Sequence, residues 1–273
     1  MADGTHCATE NRWHGRHTDM ITFTTPQLSH EHSLHTLNAI REYDEFIESI
    51  GTVIDLGCGN GLDLAWWATL TTRDDNPKPL NIACTGVDLF QDNAWPGKYT
   101  NLVHHRVNFE NSIPLANNNR TYDVLWCHDA FQYALNPLDT LKHWHSIASE
   151  GAMLLLTVPK TILVHHRQLA YFQPNGVYHH HTMLGLIHQL AISGWDCSGG
   201  FFKETPDDPC IHAIVYKSAQ ESVDPRTATW YDLAERNLLP DSGIKSVAQH
   251  GYLRQQDLVV PWLDHNLTWM GQL

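Results

Sequence analysis

The chain has 273 residues, with 17 basic against 30 acidic side chains and a formal charge of −13. That balance weighs against broad binding to nucleic acid or to an anionic membrane surface, which lean on Lys and Arg. A hydrophobic share of 42% with ten Trp supports a sizeable core, in one large domain or a domain with an extension. Cysteines 7, 58, 84, 127, 197 and 210 form no C-x-x-C pair. No signal peptide and no apolar run long enough to span a bilayer is visible. A soluble protein in a reducing, cytoplasmic setting is expected.

Residues 1–30 are polar and aperiodic, with Trp13, His14, Arg16 and His17 close together. They read as a disordered or surface-draped arm. From 30 to 50, Leu34, Leu37, Ile40, Tyr43, Phe46, Ile47 and Ile50 recur on one helical face. Ser29 is the expected N-cap and Gly51 the expected stop. Residues 1–50 form an arm and a helix that feed the next segment.

Val53, Ile54, Asp55 and Leu56 form an apolar run that breaks into Gly57, Gly59 and Gly61. Residues 62–70 then read as a helix. Strand, glycine turn and helix open a nucleotide-binding α/β sheet, because glycine lets the backbone turn sharply beside a ligand. The third glycine comes one residue earlier than in the dinucleotide fingerprint G-x-G-x-x-G. With Asp55 two residues before the first glycine, the string VIDLGCGNG resembles motif I of class I methyltransferases, which bind S-adenosylmethionine.

That resemblance implies an α/β, Rossmann-like, seven-stranded sheet flanked by helices, in the order 3-2-1-4-5-7-6. It also implies that Gly57, Cys58, Gly59 and Gly61 border the cofactor. Asp55 would orient the loop or reach the methionine part through water. Several related methyltransferases close the site with N-terminal residues, which makes the arm a candidate flap.

Residues 81–90 read as strand two. Its terminal acid, Asp88, is expected on both ribose hydroxyls, with Leu89 beside it; a loop-start acid capping a turn is the plainer alternative. Residues 101–109 read as strand three. The following Asn108, Phe109, Glu110, Asn111, Ser112, Ile113, Pro114 and Leu115 resemble the family's D-A-x-x-L-P-F loop. Asn108 stands where an acid usually receives the adenine amine, and its carbonyl can still accept. Phe109 packs either on adenine or in the core.

Residues 122–127 read as strand four and run into His128, Asp129, Ala130, Phe131, Gln132 and Tyr133. This resembles motif IV of the methyltransferase-11 or UbiE-like small-molecule branch. The backbone at Cys127 would face the methionine amine. His128 and Asp129 would lie near the sulfonium and the acceptor as catalytic candidates. The alternatives are a helix-capping Asp129 and a packed rim histidine at 128.

Residues 139–149 have helical spacing, and 152–158 read as strand five after a stop at Gly151. Residues 159–178, with His165 and His166, are a polar and aromatic insertion, which the resemblance implies is an acceptor-side wall, since this connection covers the substrate in related folds. His179, His180 and His181 are consecutive and cannot converge on one ion, so no metal site is expected. Residues 182–193 read as a helix. Residues 195–202 and 211–216 read as a closing antiparallel pair turning at 205–209.

The expected methyltransferase domain spans 51–217. Beyond a polar linker at 218–225, short helical stretches are expected at 226–237, at 241–250 (capped by Asp241 and stopped by Gly251), and at 254–270, interrupted at Pro261. This 218–273 extension carries Trp230, Tyr231, Trp262 and Trp269. It either packs on the main domain or presents a homodimer or protein-partner surface through 226–270.

The reading is SN2 transfer of a methyl group from S-adenosylmethionine to a small-molecule acceptor. The alternative is a methyltransferase fold used as a binding module that docks a partner through its tail. No N-P-P-Y, D-P-P-Y or Pro-Cys signature marks a nucleic-acid acceptor, and nucleic-acid or protein acceptors rank lower.

Overall fold

The computed structural model describes residues 26–43, 45–89, 95–116, 121–161, 179–205, 208, 210–263 and 267–269. The flap segment, His165, His166 and most of the 159–178 wall lie outside the described residues. Seven strands form one sheet: β1 (Thr52–Leu56), β2 (Ala83–Asp88), β3 (Leu102–Arg106), β4 (Tyr122–His128), β5 (Ala148–Pro159), β6 (Trp195–Lys203) and β7 (Cys210–Lys217). Their order is β3-β2-β1-β4-β5-β7-β6, as the resemblance implies. All neighbours pair parallel except β7, which is antiparallel to both β5 and β6.

Alternation along the central strands builds two cores, one on each face. Ile54, Leu56, Leu125, Cys127, Leu154 and Leu156 face one layer. Val53, Val124, Trp126, Met153 and Leu155 face the other. The first layer is covered by helices α3 (Pro137–Ile147) and α4 (Met183–Ile192). The second is covered by α1 (Pro26–Tyr43) and α2 (Leu62–Ala68).

Helix α1 starts at Pro26, three residues before the expected Ser29 cap. Proline suits the first turn because the N–H it lacks would be unsatisfied there. Ser33, Leu37 and Ile40 are fully buried on its inner face. Gly51 does not stop this helix; a 3-10 turn, Glu45–Ser49, intervenes. Asp123 instead clamps the start of β1, accepting from the Gly51 and Thr52 amides at 2.9 Å and from Thr52 Oγ1 at 3.0 Å.

Helix α3 begins at Asn136, whose side chain accepts from the Asp139 amide, with Pro137 in the first turn. It therefore starts earlier than its apolar spacing suggests. Gly151 does not delimit β5: the strand opens at Ala148, which pairs with Tyr122. β3 is shorter than expected, ending at Arg106, before Asn108 and Phe109.

In the tail, α5 (Trp230–Glu235) is set by a Thr229–Asp232 capping box. α6 (Asp241–His250) ends at Gly251 with φ +82°. Asp241 lies in the first helical turn and makes no cap; the N-cap is Pro240. Among the described residues the expected third helix does not form. A 3-10 turn, Gln255–Asp257, leads into a two-stranded pairing of β8 (Val260–Pro261) with β9 (Leu267–Trp269). Pro261 has no N–H and forces Val260 into extended backbone. Upstream, Arg254 forks onto Asp257 at 2.7 Å through both Nε and a terminal guanidinium nitrogen, which fixes the turn.

The tail packs on the sheet domain. Leu233, Leu238, Leu239, Val247, Leu253, Leu258 and Val260 belong to the first core, and Trp262 and Leu263 to the second. Val223 in the polar linker donates its amide to the Ile192 carbonyl at 2.8 Å. Among the described residues no helix is long and apolar enough to cross a membrane.

Candidate active site

The glycine loop lies at the carboxyl end of β1. Gly57 and Cys58 donate to the Val87 carbonyl at 2.8 and 3.1 Å, so the loop hangs on the end of β2. Gly57 has φ +87°, and a Cβ there would lie 2.3 Å from Ala130 Cβ. The residue has to be glycine for both the turn and the close approach of the β4 loop. Gly57→Ala is expected to cost about 2–4 kcal/mol from backbone strain and overpacking. A urea melt measures it; an unchanged midpoint would contradict the packing. Gly59, at φ +49°, meets no atom within 4 Å of its Cβ position and borders open space.

Asp88 terminates β2 and accepts from the Gly59 amide through Oδ2 at 3.0 Å. Leu89 beside it is half exposed, and its carbonyl receives Arg106 Nε at 2.9 Å. Asp55 is buried under the loop. Its carboxyl is pushed well up, first by burial and then by the charges of Asp63 and Asp88. Burial and the charges of Asp55 and Asp88 push the Cys58 thiol up. Burial does the same to Cys127, which lies inside β4.

Asp63, which sequence reasoning passed over, joins three elements. It accepts from Ser33 of α1 at 2.6 Å and from Trp126 Nε1 of β4 at 2.9 Å. In the sequence it is one acid on a short amphipathic helix, with no pattern to mark it.

Asn108 closes a local turn. Its Oδ1 accepts from the Glu110 amide at 2.9 Å, and its carbonyl accepts from Ser112 at 3.2 Å. The atom expected to meet adenine is therefore already a turn acceptor, with its second lone pair left. Phe109 packs beside Trp144 with ring centroids 6.0 Å apart, and its carbonyl receives Trp144 Nε1 at 2.8 Å. It is only partly buried, so it packs on the core and still borders the site.

His128 ends β4. It is buried and stacked on Trp126, and its Nδ1 lies 3.9 Å from Asp129 Oδ2. Asp129 follows with φ +54°, uncommon for a residue with a side chain. It does not cap a helix through its side chain; the short 3-10 turn Phe131–Tyr133 that follows has no side-chain cap. A closed polar ring holds Asp129 instead. Its amide donates to the Thr157 carbonyl at 3.1 Å. Thr157 Oγ1 lies 3.0 Å from His212 Nδ1, and His212 Nε2 lies 2.9 Å from Asp208 Oδ2. Asp208 Oδ1 receives the Cys210 amide at 2.9 Å, and the Cys210 thiol returns to Asp129 Oδ1 at 3.8 Å. Thr36 of α1 approaches His212 at 3.5 Å. His128, Thr157 and His212 stand in register across β4, β5 and β7.

Gln132 donates to the Asp129 carbonyl at 2.9 Å. His181 stacks on Phe131 at 5.6 Å and is 3% exposed. Burial, then His179 and His180, lower its pKa to about 4. The unfolded imidazole protonates near 6.5, so the stability of the neutral folded form is full above 6.5 and is lost as pH falls toward 4. At about 1.4 kcal/mol per unit, His181 alone costs about 3 kcal/mol over that range. His181→Phe, which keeps a ring on Phe131, is expected to flatten this slope in urea melts taken at successive pH values. An unchanged slope would contradict the assignment. Among the described residues no cluster of three His, Cys, Asp or Glu is placed to hold a metal ion.

A family profile described as a methyltransferase domain matches residues 30–197. The chain belongs to the methyltransferase domain family. Among curated proteins, none matches the sequence. In solved structures, an O-methyltransferase family protein from Burkholderia thailandensis superposes with a TM-score of 0.51 at 16% identity, over 72% of this chain and 59% of that one. The 1,6-didemethyltoxoflavin-N1-methyltransferase of the same organism gives 0.47 at 13% identity, over 80% and 93%. Magnesium protoporphyrin IX methyltransferase from Synechocystis PCC 6803 gives 0.48 at 14%, over 80% and 90%. The likeness to the O-methyltransferase family protein speaks for the fold alone, which in this methyltransferase is the seven-stranded sheet described above.

Proposed function

We propose that the methyltransferase uses S-adenosylmethionine to methylate a small molecule at the carboxyl edge of β1, β2 and β4. The carrying observation is the glycine loop: Gly59 borders open space, with Asp88 at its side on the end of β2. These residues fit the cofactor. Gly57, Cys58, Gly59 and Gly61 would line it, Asp88 and Leu89 would take the ribose end, and Asn108 and Phe109 the adenine end. The Cys127 backbone would meet the methionine part, with Asp55 supporting the loop from below.

When bound, S-adenosylmethionine supplies an electrophilic methyl group on a positively charged sulfur. Methyl transfer then asks the protein chiefly for in-line placement. His128 and Asp129 are at hand to orient the acceptor and to take a proton at the Asp129 carboxylate. The charge of −13 supports a small acceptor over a nucleic acid. The test is transfer of label from methyl-labelled S-adenosylmethionine to a cell extract. Label in the low-molecular-weight fraction supports the reading; label confined to protein or nucleic acid defeats it.

The 226–270 stretch carries a second proposal, a docking face for another copy or a protein partner. Tyr231 and Tyr252, both about half exposed, support it. Five buried, unbridged cysteines support a reducing, cytoplasmic setting.

A further inference from the structure

We propose that Glu110 is a positioning residue for cofactor selectivity, holding the Asn108 side-chain oxygen where it accepts from the adenine amino group. This inference rests on the reading of Asn108 and Phe109 as the adenine end of the site.

Glu110 joins two loops. Its backbone amide donates to Asn108 Oδ1 at 2.9 Å, which by itself closes a turn of the Asx type. Its carboxylate makes contacts that the turn does not need. Oε2 accepts from the Leu135 amide at 2.9 Å and from the Asn136 amide at 3.4 Å. Asn136 is the N-cap of α3, so the carboxylate sits on N–H groups at the start of that helix. Negative charge is favoured there, and a charge-assisted hydrogen bond is roughly twice as strong as a neutral one. The same segment follows the 3-10 turn Phe131–Tyr133 behind His128 and Asp129.

The carboxylate also faces the residue it positions. Its Oε1 accepts from Asn108 Nδ2 at 3.4 Å. A carboxylate only accepts and a backbone N–H only donates, so Glu110 meets the Asn108 amide at both ends with opposite demands. The nitrogen is held on the carboxylate. The oxygen is held on the backbone amide, with a second lone pair left. An amine donor suits that lone pair; a ligand without one leaves it empty.

The rest of the loop is anchored from the core. Trp144 Nε1 donates to the Phe109 carbonyl at 2.8 Å, and the Tyr122 hydroxyl to the Pro114 carbonyl at 2.8 Å. Trp144 and Tyr122 are fully buried, so these two bonds belong to the packing as much as to the loop. Glu110 is half-buried and ties down the stretch beside Asn108 without filling the core. Its loss is expected to spare the fold and to free the loop at the adenine end.

The test compares S-adenosylhomocysteine with its deamino analogue, which carries hydrogen in place of the adenine amino group, by calorimetric titration of the full chain. The wild type is expected to prefer the amine-bearing form roughly tenfold. Glu110→Ala is expected to weaken that form roughly tenfold and the deamino form less than about threefold, and the four affinities isolate the coupling between Glu110 and the amine. A thermal melt checks the variant's fold. Glu110→Asp keeps the charge on a side chain one methylene shorter; it is expected to lose preference in the same direction, and it decides the point if the alanine variant does not fold. A clamp that serves the architecture alone would weaken both ligands alike. Equal weakening of both, weakening of neither, or a wild type that does not distinguish the two overturns the inference. Failure of the wild type to bind S-adenosylhomocysteine overturns the underlying reading of the site, and is recorded separately before any variant is compared.

Discussion

Asp88→Ala is expected to weaken S-adenosylmethionine binding roughly a hundredfold or more. On the proposed reading the carboxylate accepts from two ribose hydroxyls. Hydrogen bonds to a charged group contribute about 1.5–3 kcal/mol each, so losing both amounts to two to four decades in affinity. The same change removes the acceptor for the Gly59 amide, 3.0 Å from Asp88 Oδ2, and loosens the loop that lines the ligand. Equilibrium dialysis with labelled cofactor measures the effect, and circular dichroism verifies the fold. A variant that binds as the wild type does would move the ribose elsewhere and return Asp88 to a plain loop clamp.

The second large effect concerns the tail. A chain ending at Lys217 is expected not to fold. Leu233, Leu239 and Leu258 are fully buried, and Leu238, Val247 and Leu253 nearly so, in the same core as β4 and β5. Each buried aliphatic side chain contributes about 1.5–3 kcal/mol, so the six together, about 9–18 kcal/mol, are as large as the roughly 5–15 kcal/mol by which a domain is stable. The Leu238 carbonyl also accepts from the Cys197 amide at 3.1 Å, tying the tail to β6. Circular dichroism and proteolysis of the truncated chain decide the point. A folded product that binds cofactor would make the tail a separable docking module.

The sheet was legible because its strands are apolar runs cut by glycine, and because motif I fixes which strand is first. Asp88 and His128 could be placed by their distance from a strand end. Boundaries slipped where side chains set them. Asn136 starts α3, Asp123 starts β1, and neither stands out by periodicity. The interruption at Pro261 was legible, but the helical reading on either side of it failed because Leu258 and Trp262 keep helical spacing while the described residues form a 3-10 turn and an extended pairing.

The ring around Asp129 was invisible. Thr157, Asp208, Cys210 and His212 come from β5, β7 and the segment just before β7. Only the antiparallel insertion of β7 beside β5 brings them to one place. Gln132 and His181 look like ordinary polar residues until burial shows that each keeps an atom without a partner.

The most direct measurement is calorimetric titration of the intact chain with S-adenosylmethionine and, separately, with S-adenosylhomocysteine. Saturable one-to-one binding of both is the predicted result. A well-folded protein that binds neither would contradict the account, and would leave a methyltransferase fold whose glycine loop serves the architecture alone.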